Sequence, residues 1–111
     1  MMKKISFVES SLADLRRFPI PVRQDAGFQL ERVQRGLNPV SWKPMSSIGM
    51  GVQEIRISGG DGIFRVIYVA KFPEAVYVLH CFQKKSQTTD LQDIRLAKSR
   101  FNLLLKERKY E

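Results

Sequence analysis

Residues 54–70 read EIRISGGDGIFRVIYVA, and this stretch decides the fold. Polar and apolar residues alternate from Glu54 to Ser58, which is the period of a β-strand. The sequence Gly-Gly-Asp-Gly at 59–62 supplies the positive-φ residues that a tight turn requires, and residues 63–70 then resume as a second strand. The stretch therefore predicts a β-hairpin.

The neighbouring segments extend this hairpin into a small, mostly antiparallel sheet. Residues 71–74 turn the chain and residues 75–82 form a third strand, which makes a three-stranded meander. A first short strand is predicted at residues 5–8. Because the last two strands of the meander are apolar on both faces, we expect the sheet to be covered on both sides. Residues 40–51 have no clear period and are predicted to form a loop.

Two helices are predicted between the first strand and this loop. Ser10 or Ser11 begins a short helix, which ends before Pro19. Pro21 lies in the first turn of the second helix, which Gly36 ends, and the pair is interpreted as an antiparallel helical hairpin. The apolar residues of the second helix recur every three or four positions: Val22, Ala26, Leu30, Val33 and Leu37.

A third helix is predicted after the meander. Thr89, with Gln92 three residues later, has the form of a capping box. The order of strand, two helices, three strands and helix predicts an α+β fold in a single domain over residues 1–111. The apolar side of this last helix is predicted to consist of Leu91, Ile94, Phe101, Leu104 and Leu105.

The composition indicates the kind of partner. With 19 basic residues against 11 acidic residues, the formal charge of +8 favours a polyanion or an acidic protein. Cys81 has no second cysteine to pair with, which favours a reducing compartment. Glu9 interrupts the amino-terminal segment before a signal sequence forms, and no apolar run approaches the ~20 residues of a membrane-spanning helix. We expect a cytoplasmic protein without a membrane partner.

The sequence lacks the residues that most common enzyme chemistries require. The one histidine, His80, is adjacent to Cys81, and adjacent strand residues point to opposite faces, so they cannot form a catalytic dyad. One cysteine and one histidine are too few for a structural zinc site. The acidic residues are dispersed, and the glycines are not followed by the Lys-Ser or Lys-Thr of a P-loop. The sequence therefore predicts no metal and no cofactor.

Cationic residues on the sheet are the remaining candidates. In residues 79–90, LHCFQKKSQTTD, the predicted strand is followed closely by Lys84 and Lys85. No acidic residue lies between 75 and 89 to pair with these lysines. Arg56 alternates with isoleucines and should lie on the opposite face from them. Arg65 lies in an apolar strand and needs either a partner or an exposed groove.

Each candidate has a structural alternative. Arg65 could form a salt bridge to Glu54 across the hairpin, and the other cations could form a solvated surface. The ring side chains could stack on nucleobases or pack in the core, and among them His80 is also the one proton carrier suited to neutral pH. These rings are His80, Tyr68, Phe82 and Trp42.

A cluster of cations can supply much of what cleavage of RNA requires without a metal. A 2′-hydroxyl lies beside each phosphate of RNA, so an enzyme needs only to orient it, help remove its proton and neutralise the phosphorane.

Five motifs in order resemble a known family, the RelE/ParE toxin superfamily in its HigB-like, phage-derived branch. The resemblance covers nearly the whole chain and implies a RelE-like fold. The motifs are Trp42-Lys43-Pro44; Gly49-x-Gly51-Val52-x-Glu54-Ile55-Arg56; Phe64-Arg65-Val66-x-Tyr68; Leu79-His80-x-Phe82-x-Lys84-Lys85-x-Gln87; and Ala97-x-x-Arg100.

The resemblance implies a toxin of a type II toxin–antitoxin system. Such a toxin enters the ribosomal A site and cuts translated mRNA, leaving a 2′,3′-cyclic phosphate or its hydrolysed form and a 5′-hydroxyl. The implied partners are the ribosome, mRNA and a cognate antitoxin of helix-turn-helix type. Operator DNA is an indirect partner, through the complex of toxin and antitoxin.

The resemblance also implies the site residues. Catalytic roles are carried over to Arg56, Arg65, Lys84 and Lys85, with His80 as a further candidate for proton transfer. RNA contacts are carried over to Lys43, Phe82 and Gln87. Some relatives place a tyrosine or histidine near the carboxyl end, where this chain has Tyr110. The general base is therefore left open between either lysine, with a pKa lowered by the neighbouring cation, and His80.

Two other functions compete with the nuclease. A ParE-like toxin of the same fold would inhibit DNA gyrase by protein binding, with residues 101–111 as its contact surface. A basic protein that binds nucleic acid without catalysis would show binding that weakens steeply with salt.

Overall fold

The computed structural model describes residues 2–60, 62–85 and 90–109. They form one five-stranded sheet in the order β1-β5-β4-β3-β2, in which β1 and β5 are parallel and the other neighbours antiparallel. The predicted α+β class and the mostly antiparallel sheet are confirmed. In chain order the elements are β1 (Lys4–Phe7), α1 (Ser11–Arg16), α2 (Ile20–Gln34), β2 (Trp42–Pro44), β3 (Val52–Gly59), β4 (Gly62–Val69), β5 (Ala75–Lys84) and α3 (Leu91–Lys109).

The predicted hairpin is formed by β3 and β4. Gly59 lies opposite Gly62, and Gly60 in the turn has a φ of 55°, a conformation that glycine adopts without steric cost. The prediction of a loop over residues 40–51 was wrong in part, because Trp42 pairs with Ile55 and begins the short strand β2. Three residues are too few to show a period of two, and Pro44 is tolerated because β2 is an edge strand.

Both faces of the sheet are covered, as predicted. On one face α1 and α2 pack over the inward residues of the sheet, among them Ile55, Val66 and Cys81. On the other face α3 packs over Ile67 and Leu79. The second face is covered only in part. Arg56 follows Val52 on β3 and Arg65 precedes Ile67 on the antiparallel β4, so the charged residues share one end of this face.

The helices follow the sequence signals at most of their ends. Pro21 lies in the first turn of α2, and Gly36, with a φ of 83°, follows its end. The amide groups of Gly36 and Leu37 donate to the carbonyls of Val33 and Arg32, which is a Schellman motif. Leu37 thus lies beyond the helix and is 51% exposed, so its assignment to the apolar stripe was wrong. The two helices contact mainly different strands, α1 against β5 and α2 against β3, rather than forming a packed hairpin.

Helix α3 buries a narrower side than predicted. Its buried apolar residues are Ala97, Phe101 and Leu104, whereas Leu91 and Leu105 are exposed, contrary to the prediction. Thr89 of the predicted capping box lies outside the described residues. The carboxylate of Asp90 accepts a hydrogen bond from the amide of Gln92 at 3.3 Å, which is the geometry of an N-cap. No helix in the described ranges is long and apolar enough to span a membrane.

A β-bulge in β5 determines which of its side chains face α3. Ile67 lies opposite His80, but the next residue of β4, Tyr68, lies opposite Val78, so Leu79 is the extra residue. The bulge shifts the alternation by one, and His80, Phe82 and Lys84 then point to the face that α3 covers in part. Cys81 packs on the opposite face, which confirms that His80 and Cys81 cannot act as a dyad.

Candidate functional site

Four cationic side chains meet at the open end of the sheet face that carries α3; they are Lys43, Arg56, Arg65 and Lys84, here called the cation cluster. Arg56 of β3 lies directly opposite Arg65 of β4. Lys84 lies two residues beyond Phe82, which is opposite Arg65, so it shares the same face. Lys43 of β2 lies opposite Glu54, two residues before Arg56, and completes the set. Three strand pairings therefore bring together residues that are distant in sequence.

The cations of the cluster differ in their exposure to solvent. Arg56 is exposed, and Lys43 and Lys84 are half-buried. Arg65 is 1% exposed, so its guanidinium does not present itself to solvent. A ligand on this surface would contact Arg56, Lys43 and Lys84 and would lie within the electrostatic field of the buried Arg65.

Glu54 is the buried counter-ion of the cluster. Its carboxylate is fully buried and lies 3.6 Å from Nη1 of Arg65 and 3.8 Å from Nζ of Lys43. The salt bridge proposed from the sequence for Arg65 is thus confirmed. Both distances exceed hydrogen-bond length, and both carboxylate oxygens lack a hydrogen-bond donor within the described residues.

The crowding of cations changes the acidity of Lys84. Partial burial lowers the pKa of Lys84 below its ordinary value, and the charges of Arg65, Lys43 and Arg56 lower it further, against the opposing effect of Glu54. Burial likewise lowers the pKa of Arg65, with Arg56 acting in the same direction. The neutral amine that a general base requires is therefore more accessible at Lys84 than at an isolated lysine.

The other sequence candidates lie outside the cluster. Lys85 is exposed and follows the end of β5. Gln87 lies outside the described residues. Phe82 is 9% exposed, and its ring stacks on that of His80 at a centroid distance of 4.9 Å. Tyr68 is fully buried and donates a hydrogen bond to Gln53, so its role is core packing rather than base stacking.

His80 is enclosed by carboxylates. Its Nε2 lies 2.7 Å from Oδ1 of Asp93 on α3, and its Nδ1 lies 3.8 Å from Oδ2 of Asp14 on α1. The residue is 6% exposed. Both ring nitrogens thus face protein groups, and the imidazole links α1, β5 and α3 instead of joining the cation cluster.

Arg100 is a buried residue whose role the sequence did not reveal. Its Nη1 donates to the carbonyl of Leu79 at 2.8 Å, and its Nη2 donates to Oγ of Ser10 at 2.7 Å. Asp14 lies 3.5 Å from Nη1. Arg100 therefore satisfies the carbonyl of the bulge residue. A signal was present in the sequence, since Arg100 stands in the apolar stripe of α3, between Ala97 and Leu104.

A cavity of about 960 Å³ adjoins the cluster, between the end of β5, the end of α1 and the start of α3. His80, Phe82, Lys84 and Lys85 are among its lining residues. Cys81 also lines it, but burial strongly raises the pKa of the thiol, so this cysteine is not an activated nucleophile. Across the described ranges, no three His, Cys, Asp or Glu side chains are grouped as metal ligands.

The arrangement of the sheet and helices defines the class of the protein. It is similar to a solved structure of the toxin–antitoxin complex RelBE2 from Mycobacterium tuberculosis, with a TM-score of 0.53 and 17% identity over 76% of this chain and 100% of that chain. The fold is thus RelE-like, as the resemblance implied. Residues 13–102 match the family model described as phage derived protein Gp49-like (DUF891), and the chain belongs to this family. No curated protein matches the chain.

Proposed function

We propose that this protein is the toxin of a type II toxin–antitoxin system and cleaves mRNA on the ribosome. The observation that carries the proposal is the cation cluster, in which Lys84, with a lowered pKa, lies among three further cations. Membership of the Gp49-like family and the RelE-like fold support it. The net charge of +8 suits a polyanionic substrate.

The proposed reaction uses the 2′-hydroxyl of the substrate. Neutral Lys84 accepts the proton of this hydroxyl, and the resulting alkoxide forms a bond to the adjacent phosphorus. Arg56 and Lys43, the more accessible cations, neutralise the phosphorane, and the buried charge of Arg65 adds to the field. The bond from phosphorus to the 5′ oxygen then breaks, and that oxygen takes a proton from solvent. The products are a 2′,3′-cyclic phosphate and a 5′-hydroxyl.

The cognate antitoxin is the second proposed partner. The similar structure is that of a toxin–antitoxin complex, which supports such a partner here. An antitoxin of helix-turn-helix type would connect the toxin to operator DNA. An acidic antitoxin segment would be attracted by the same cations as RNA.

The test is primer extension on an mRNA that is being translated in a bacterial extract, beside the same RNA without ribosomes. We expect new ends only in the translated sample. Lys84→Ala should lower the cleavage rate by about 10²-fold or more, the usual effect of losing a general base. Lys85→Ala is the matched control, because it removes the same charge from the adjacent, exposed residue, and cleavage should fall by less than about fivefold.

Equal losses in the two variants would contradict the assignment of the cluster while leaving the nuclease in place. Intact mRNA with the wild-type protein would contradict the nuclease itself. A gyrase supercoiling assay with the same protein would then test the ParE-like alternative, in which the cluster has no catalytic part.

A further inference from the structure

Among the residues that the structure describes, Glu54 is the one acidic group whose charge acts on Lys84, beside three cations. It lies on β3, two residues before Arg56 and directly opposite Lys43 on β2. Residues two apart on a strand share a face. The carboxylate of Glu54 therefore lies beneath the cation cluster and not on the sheet face that α1 and α2 cover. It contacts Arg65 and Lys43 from one position, and these belong to the two strands on either side of β3.

The contacts of Glu54 are poorly suited to stabilising the fold. The carboxylate is fully buried, yet both its oxygens lack a hydrogen bond, as do Nε and Nη1 of Arg65. A buried ion pair compensates for the loss of hydration only when its geometry is good and its remaining polar atoms are hydrogen-bonded. Neither condition is met within the described part of the chain. We therefore look for the role of Glu54 in the positions at which it holds the neighbouring cations.

We propose that Glu54 is a positioning residue of the cation cluster, whose buried carboxylate holds Lys43 and Arg65 around Lys84. This inference rests on the proposed function. Without Glu54, four like charges would repel one another across four strands, and the flexible Lys43 would extend into solvent. With Glu54 in place, their mutual arrangement exists before RNA binds, which is the condition for electrostatic stabilisation of a phosphorane.

The test compares Glu54→Gln, which keeps the shape and removes the charge, with Glu54→Asp, which keeps the charge. The first measurement is an NMR titration of Lys84 in the free protein. Because Glu54 acts to raise the pKa of Lys84, we expect a lower Lys84 pKa in Glu54→Gln and a value near that of the wild type in Glu54→Asp. A contribution to folding alone would leave this pKa unchanged. An unchanged value in folded Glu54→Gln would overturn the proposal.

The second measurement is the cleavage of translated mRNA, with kcat and KM separated. We expect the plateau of kcat in Glu54→Gln to fall at least tenfold, with KM unchanged or lower, since the added positive charge attracts RNA. The pH at half-maximal kcat should move down, because Lys84 must be neutral to act as the base. A fall in kcat with no change of this pH would indicate loss of folded protein and would count against positioning.

Glu54→Asp keeps the proposal testable if Glu54→Gln does not fold. Its carboxylate is one methylene shorter, so the Arg65 side chain should be less ordered than in the wild type in NMR relaxation of Nε. Unchanged order together with unchanged kcat would overturn the proposal. A wild-type protein that does not cleave mRNA would refute the proposed function, whereas the two NMR measurements would still decide whether Glu54 positions the cations.

Discussion

Two buried arginines, Arg65 on β4 and Arg100 on α3, show how differently one side chain can be used in the same molecule. They are similarly hidden, at 1% and 7% exposure. Arg100 donates to a carbonyl and a hydroxyl and lies beside Asp14. Arg65 has one ion pair at 3.6 Å, and its Nε and Nη1 make no hydrogen bond to the described residues.

The difference lies in their hydrogen bonds, since the donors of Arg100 have acceptors whereas two donors of Arg65 have none among the described residues. Hydrogen bonds to a buried guanidinium offset its loss of hydration, so Arg100 joins α1, β5 and α3 stably. Arg65 lacks this compensation, and its charge adds to those of neighbouring cations on the sheet. Burial alone therefore does not distinguish the two arginines, whereas the number of satisfied donors does.

Replacing both members of the Arg65 pair should have the largest effect, and it should fall on activity. In Glu54→Leu/Arg65→Met we expect cleavage of translated mRNA to decrease about 10²-fold, the usual effect of losing one stabilising charge. The free energy of unfolding should stay the same or rise by up to about 4 kcal/mol, because an ill-compensated ion pair is exchanged for apolar contacts. Chemical denaturation measures the second quantity. A clearly less stable variant would mean that Arg65 resembles Arg100.

The corresponding exchange at Arg100 should act on stability. In Asp14→Leu/Arg100→Met the carbonyl of Leu79 loses its buried donor, and we expect the free energy of unfolding to fall by about 2–3 kcal/mol. Cleavage per folded molecule should change little. A variant as stable as the wild type would show that the hydrogen bonds of Arg100 do not distinguish it from Arg65.

A smaller change isolates one of those hydrogen bonds. Ser10→Ala removes the acceptor of Nη2 of Arg100. Ser10 stands at the N-cap of α1 but makes no side-chain capping bond there, and its own hydroxyl donates only a long, exposed bond to Oδ2 of Asp14, at 3.5 Å. The loss should therefore be close to that of one hydrogen bond, roughly 1 kcal/mol. Thermal unfolding of the variant beside the wild type measures it. A loss several times larger would indicate that Ser10 caps the helix after all.

The partly exposed Arg108 should give the smallest effect. Its guanidinium donates to Glu74 at 2.6 and 3.0 Å, and this contact is the main cause that lowers the pKa of Glu74 to about 2. In Arg108→Gln an NMR titration should show this pKa rising towards 4.5. Any stability from the pair is present above the ordinary pKa of Glu74 and lost as the pH falls towards 2, so the variant should be slightly less stable than the wild type at neutral pH and equal to it at low pH. An unchanged Glu74 pKa would mean that the contact does not persist in solution.

Much of the fold followed from local patterns in the sequence. The alternation in residues 54–58 and the glycines at 59–62 predicted the hairpin, and the hairpin places Glu54 within reach of Arg65. The exposed position of Arg56 followed from the same alternation. Strand β2 was missed because its stability comes from pairing with β3 and not from its own three residues.

The geometry of the candidate site could be predicted only in part. The sequence could not show which of Lys84 and Lys85 lies in the cation cluster. Strict alternation from residue 75 would have placed Lys85, with Tyr77, on the face of α3. The bulge at Leu79 reverses this, and its carbonyl is satisfied by Arg100, 21 residues later. The enclosure of His80 by Asp14 and Asp93 likewise depends on the packing of two helices.

The two adjacent lysines make the charge at the end of β5 insensitive to small changes in strand length. Leu79 has no partner on β4, so its deletion would leave His80 opposite Ile67 and Lys84 opposite Ile63. A deletion of one residue between His80 and Lys84 would instead exchange the faces of the residues beyond it and bring Lys85 to the position of Lys84. Because both residues are lysine, the positive charge at this position would be retained in either case.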